Sequence, residues 1–306
     1  MKKISVLILL PTMLILLNCG TKLPYDGYPA AQKIESYSFD SSKSLHDRIQ
    51  EPPAAVMDYL IDLDKRPDYR PALLDEKEKA LCRAALDSLP PYLTTALKNR
   101  LLGIYFIEDF TGSGLTEWAT DRKGTIYSFM VFNRKSLHLT ISELLTWKEN
   151  SAFKSDGGKT SVTVVCGGRE NAFLYILLHE SLHAYDYLER ITPYVDEGYR
   201  SHFNLDGNPT AFTRNVWSGY MSPATPVPAQ GKLHFYTDDE SEKSSLSEAP
   251  ALYEKLQASP FVSLYSTLSW AEDFAEMGAF YHLTQVMKLP YHIIIHDSGG
   301  SVKSYS

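Results

Sequence analysis

Apolar residues recur at helical spacing from Ala54 to Leu63, which predicts a first helix. Asp75 to Leu89 (DEKEKALCRAALDSL) opens on acidic residues and carries apolar ones every three or four positions, and Pro90 and Pro91 stop it. Tyr92 to Leu102 predicts another helix, ended by Gly103. Two β-type runs follow, Ile104–Glu108 (IYFIE) and Thr125–Phe132 (TIYSFMVF), with a glycine-bearing loop at Gly112–Gly114 between them. Ile141–Glu149 fits a helix, and Thr160–Cys166 (TSVTVVC), β-branched and bounded by glycine pairs, reads as a strand. Arg169 to Glu189 predicts a long helix that is apolar around much of its circumference. Trp270 to Met287 predicts a second such helix, and Tyr291–His296 (YHIIIH) a last short strand. Residues 192–250 read as loop, with prolines from Pro193 to Pro228 and a polar run from Asp238 to Ser247. These elements predict one α+β domain over 53–306, a small mixed sheet packed on two core helices, without internal repeats.

The N-terminus has a different pattern. Lys2 and Lys3 precede an apolar stretch from Ile4 to Leu17, too short to span a bilayer and shaped like a secretory signal. It runs into Leu16-Leu17-Asn18-Cys19-Gly20, which resembles a bacterial lipobox, with Asn18 where a small residue is usual. The expectation is a signal segment over 1–18, lipidation at Cys19, a polar tether over 19–52, and export as a lipoprotein to the outer membrane. Removal of the signal leaves two thiols, Cys82 and Cys166, which an oxidising location allows to pair and which equally suit buried apolar positions.

Composition adds mainly exclusions. The chain has 306 residues, 44% hydrophobic and 22% charged, with formal charge −7, so it is an ordinary globular chain. It lacks the basic stripe that phosphate contacts require, which argues against nucleic acid as a partner.

The candidate chemistry lies in His179-Glu180-Ser181-Leu182-His183. On a helix, positions i and i+4 share a face, so both imidazoles can meet one metal ion. Glu180 sits about 100° round the helix from His179, where its carboxylate can serve as general base to a metal-bound water. A catalytic zinc needs a third protein ligand. Glu189 competes for that place, but Asp186 stands where a glycine turn would be needed, so Glu189 continues the helix. Glu272, in Trp270-Ala271-Glu272-Asp273-Phe274-Ala275-Glu276, is the better candidate, with Glu276 on the same face to hydrogen-bond a ligand histidine from behind. The remaining histidines His138, His202, His234, His282, His292 and His296 lack partner spacing.

HESLH followed by EDFAE resembles the gluzincin group of zinc metallopeptidases, with the nearest local likeness to the anthrax lethal factor catalytic domain and to bacterial peptidases sharing an E-x-F-A-E helix. The resemblance implies a zincin-like fold and Zn2+ held by His179, His183 and Glu272. It also implies a phenol at Tyr265, seven residues before Glu272, that assists the oxyanion. The matched stretches are short, and the loop region between the two helices has no counterpart, so substrate contacts do not transfer. Residues Arg214–Trp217 suit the rim of a cleft, and the strand before the active helix suits edge pairing with an extended substrate. The expected activity is zinc-dependent endopeptidase hydrolysis of a peptide or protein; the alternative is a binding lipoprotein that keeps the fold without turnover.

Overall fold

A computed structural model of the chain describes residues 25–227, 233–237, 239–296 and 302–306. The expected signal segment 1–18 and Cys19 lie outside the described residues. The described part is α+β, as the hydrophobic pattern predicts.

Helix α1 (Ala54–Asp64) starts after Pro52 and Pro53 and ends where Lys65 turns left-handed. The two-residue strand β1 (Arg70–Pro71) leads to helix α2 (Glu76–Asp87). Asp75 caps α2: its carboxylate accepts from the Glu78 amide, and Glu78 accepts in return from the Asp75 amide. Helix α3 (Pro91–Arg100) has proline at its first position, where the missing N–H costs nothing. It stops two residues before the expected end, because Leu101 already belongs to strand β2 (Leu101–Glu108). Strands β3 (Gly114–Thr120) and β4 (Ile126–Asn133) form a hairpin. The pattern had not marked β3, whose GLTEWAT carries a glutamate among its inward positions.

The main sheet has the order β1-β2-β4-β3, with β2 parallel to β4 and β3 antiparallel at the edge. Both faces are covered, so β2 is buried almost throughout. Ile104, Phe106, Met130, Phe132 and Trp118 face helix α5, defined below, while Leu102, Tyr105, Ile107, Phe129 and Val131 face α1. The segment expected as a tether corrects the sequence reading. Residues 25–52 lie on the sheet, with Tyr28, Ala31 and Tyr37 buried and Lys33 and Ile49 bridged to Thr120 and Ile104. Single aromatic residues spaced among polar ones anchor it, and they leave no periodic signal.

Helix α4 (Ile141–Ser151) is capped reciprocally by Thr140 and Glu143. It precedes β5 (Phe153–Lys154) and β6 (Ser161–Cys166). Helix α5 (Ala172–Glu189), capped by Asn171, is buried along most of its length. The loop-rich region contains helix α6 (Glu197–Phe203) and the short strands β7 (Trp217–Gly219), β8 (Ser222–Pro223) and β9 (Ser244–Ser245). Helix α7 (Ala249–Gln257), also unexpected, leads to α8 (Trp270–Tyr281), which passes into a π-helical turn at His282–Val286. Strands β10 (Tyr291–His296) and β11 (Val302–Tyr305) complete a second sheet, β11-β10-β6.

The other edge of β6 is sealed by α4. Ser142 and Thr146 exchange hydrogen bonds with the main chain of Cys166 and Val164, and Asn150 donates to the Val162 carbonyl at 2.8 Å. This overturns the expectation that a substrate pairs with β6. The edge of the main sheet belongs to β3, where Gly114 is half-buried and Thr116 and Trp118 are buried. The Asn133 amide donates to Ser113 O, so ladder alternation turns the main-chain groups of Gly114, Thr116 and Trp118 away from β4. Among the described residues, the single bridge on that side is Lys33 to Thr120, at its far end.

Candidate metal centre

Helix α5 brings His179 and His183 to one face, one turn apart, with their Nε2 atoms 3.1 Å from each other. Helix α8 delivers the third group. Ser269 caps it by accepting from the Glu272 amide, which puts Glu272 in the first turn. Glu272 Oε2 lies 3.2 Å from His179 Nε2 and 3.4 Å from His183 Nε2. The two helices approach closely because α8 is small at the crossing. A methyl on Gly278 would stand 2.6 Å from Leu182 Cδ1, and Ala271, Ala275 and Ala279 are buried beside it.

The three atoms form a nearly equilateral triangle. Three donors at zinc–ligand distances in a tetrahedral site stand about 3.3 Å apart, which is the spacing seen here. Glu272 Oε2, which points into the triangle, is buried without a hydrogen-bond partner, as expected of a group set for a cation. The donor set of two imidazoles and one carboxylate suits zinc with an open position.

Behind the triangle, Glu276 Oε1 faces His179 Nδ1 at 3.0 Å, bent from ideal hydrogen-bond geometry. Glu276 is fully buried. Its Oε1 also accepts from Tyr175 and from Lys148 Nζ at 2.8 Å, and its Oε2 accepts from Ser263 at 2.7 Å. Burial alone would raise both carboxylates. Lys148 and His179 instead hold Glu276 down to about 2, and His183 and His179 hold Glu272 well below its ordinary range. Burial would lower His179, but its contacts with Glu272 and Glu276 carry it up to about 10.

Glu180 lies beside this triangle and outside it. Thr116 Oγ1 donates to Glu180 Oε2 at 2.7 Å and to its carbonyl at 2.9 Å, tying the carboxylate to β3. The Tyr265 ring is 6.1 Å from that of His179, and Lys148 Nζ stands 4.1 Å from its centroid. Burial, then Glu272, hold the Tyr265 phenol well above its ordinary value, so it is a neutral donor. Phe235 and Tyr236 pack on the same ring at 5.0 and 6.1 Å.

Glu189 is placed elsewhere: it pairs with Arg100 at 2.9 Å on the surface. Asp186 accepts from the amide and hydroxyl of Thr192, folding the chain back after α5. Trp217 is buried and donates to Asp273 at 2.9 Å, so it pins the loop region to α8 instead of standing at a cleft rim. Cys82 and Cys166 are both free and buried, and burial pushes their thiols up to about 12 and about 11. His202 packs against Tyr28 and Trp118, and His138 pairs with Glu78 at 3.1 Å.

Thr116, Lys148 and Tyr236 escaped the sequence reading. Lys148 carried a signal: it falls on the apolar stripe Ile141, Leu144, Leu145, where a surface lysine does not belong. No protein-family model, no curated protein and no solved structure matches the chain significantly.

Proposed function

We propose that this chain is a zinc-dependent endopeptidase with a zincin-like catalytic domain, carried on an exported lipoprotein anchored through Cys19. The observation that supports it most is the triangle of His179 Nε2, His183 Nε2 and Glu272 Oε2, with Glu180 held just outside it by Thr116. His179, His183 and Glu272 would hold the ion. When bound, zinc supplies Lewis-acid chemistry, polarising the scissile carbonyl and acidifying the attacking water.

The remaining work falls to side chains. Glu180 takes one proton from the water as its oxygen bonds to the carbonyl carbon, and passes that proton to the amine as the C–N bond breaks. Tyr265, neutral at physiological pH, donates to the developing oxyanion. Glu276 orients His179. Gly114, the half-buried first residue of β3 beside Glu180, would offer its main-chain donor and acceptor to an extended peptide.

The test is zinc analysis of the purified chain, followed by digestion of a proteome-derived peptide library beside a Glu180→Gln control. One zinc with cleavage by the wild type alone supports the reading. One zinc without cleavage favours a binding protein, and absence of zinc sinks the metal site.

A further inference from the structure

Lys148 lies in a place where a lysine is costly. Its side chain is 4% exposed, on the inner stripe of α4, and a buried ammonium needs charge and hydrogen-bond compensation. Its nearest partners belong to the candidate metal centre. Nζ is 2.8 Å from Glu276 Oε1, donates to the Tyr175 hydroxyl at 2.6 Å, and lies 4.1 Å from the centroid of the Tyr265 ring. The oxygen it contacts on Glu276 is the same one that faces His179 Nδ1 at 3.0 Å.

We propose that Lys148 is a positioning residue of the metal centre. Its ammonium fixes the Glu276 carboxylate as the acceptor for His179 Nδ1 and so turns His179 Nε2 toward His183 and Glu272. The inference rests on the metal reading of those three residues. A core ion pair with no further role could be replaced by apolar groups of similar volume. This pair shares its acceptor oxygen with a ligand imidazole, so replacement frees the carboxylate that orients that ring. Such partners behind a ligand histidine typically change metal affinity 10–100-fold. Lys148 comes from α4, an element that carries none of the three ligands, and thereby couples the packing of α4 to the site.

The experiment compares the full chain with Lys148→Met, Glu276→Gln and the double variant. Zinc affinity is measured by competition with a chromophoric chelator, and the hydrogen bond behind the ligand by the His179 Nδ1–H resonance in ¹H–¹⁵N NMR of the zinc-loaded protein. The wild type should hold one zinc and show a hydrogen-bonded, slowly exchanging Nδ1–H. Lys148→Met should bind zinc about 10–100-fold more weakly, with that resonance shifted and faster to exchange. The double variant should bind zinc as Glu276→Gln does, because Lys148 acts through Glu276. If Lys148→Met leaves Glu276 too exposed to an unpaired charge to fold, the double variant, which has no such charge, carries the comparison. Wild-type affinity and an unchanged His179 Nδ1–H resonance in Lys148→Met, or a further tenfold loss in the double variant beyond Glu276→Gln, would overturn the inference while the metal reading stands. A wild type without zinc would sink both.

Discussion

Gly114 leaves the space that Glu180 occupies. A methyl built on Gly114 would stand 2.7 Å from Glu180 Oε1, 2.9 Å from its Cγ and 2.9 Å from Ile176 Cγ2. The edge of β3 therefore touches the candidate base directly, and the base has little room to shift on a helix that is buried on nearly every side.

Gly114→Ala should displace the Glu180 carboxylate and lower kcat on a cleaved peptide by about 10²-fold, the order of loss expected from misplacing a reacting group by about 1 Å. Zinc content should stay at the wild-type level, because no ligand touches Gly114. Thr116→Val, which removes the 2.7 Å hydrogen bond to Glu180, should act in the same direction. A Gly114→Ala enzyme at full rate would separate β3 from catalysis.

Glu180→Gln should keep zinc and lose about 10²–10⁴-fold in kcat, the range for a general base. Tyr265→Phe should lose about 10²–10³-fold in kcat with little change in KM, as for one oxyanion donor. Both are read on the same peptide with zinc measured in each sample. A Tyr265→Phe enzyme at wild-type rate would reduce Tyr265 to a packing residue between Lys148 and Phe235.

Glu272→Ala should strip zinc, and Glu189→Ala should not, since Glu189 is engaged with Arg100 at the surface. Gly278→Val should also weaken zinc, by forcing α8 away from Leu182 and carrying Glu272 with it. Atomic absorption on dialysed protein decides; the reverse outcome for Glu272 and Glu189 would reassign the third ligand.

Glu149 is buried against the Tyr253 hydroxyl, and burial pushes its carboxyl up to about 7. Its unfolded value is near 4.5, so between those values the folded state binds more protons than the unfolded chain. The stability it contributes is present below the unfolded value and is lost as pH rises through about 7. Glu149→Gln should therefore gain melting temperature relative to the wild type between pH 5 and pH 8, measured by thermal unfolding at both. A difference that stays constant with pH would mean that Glu149 ionises normally.

Cys19→Ser should move the expressed full chain from the detergent phase to the aqueous phase on Triton X-114 partition, because in the proposed lipoprotein acyl chains on Cys19 would supply the anchoring. Unchanged partition would replace the lipid anchor with an uncleaved signal segment.

The local half of this protein was readable along the chain. A spacing of four on a helix puts His179 with His183, and Glu272 with Glu276, whatever else surrounds them, because the helical repeat is a property of the backbone. The helix starts expected at Asp75, Ile141 and Trp270 match to within a residue, and Asp75, Thr140 and Ser269 fix them by capping their own backbone. What joins distant segments was not readable. The sequence already favoured Glu272 over Glu189, but the close crossing of α5 and α8 at Gly278 and Leu182 that brings it to the histidines, and the Arg100 partner of Glu189, appear only in the fold. The edge of β6 was closed by the hydroxyl and amide groups of α4, and Gly114 at the start of β3 came to lie beside Glu180 instead. Residues 25–52 joined the sheet through isolated aromatic residues such as Tyr28 and Tyr37, and Lys148 entered the core because Glu276 awaited it there. Periodicity reports which residues share a face; only packing, which depends on shape and charge across the whole fold, selects the face they meet.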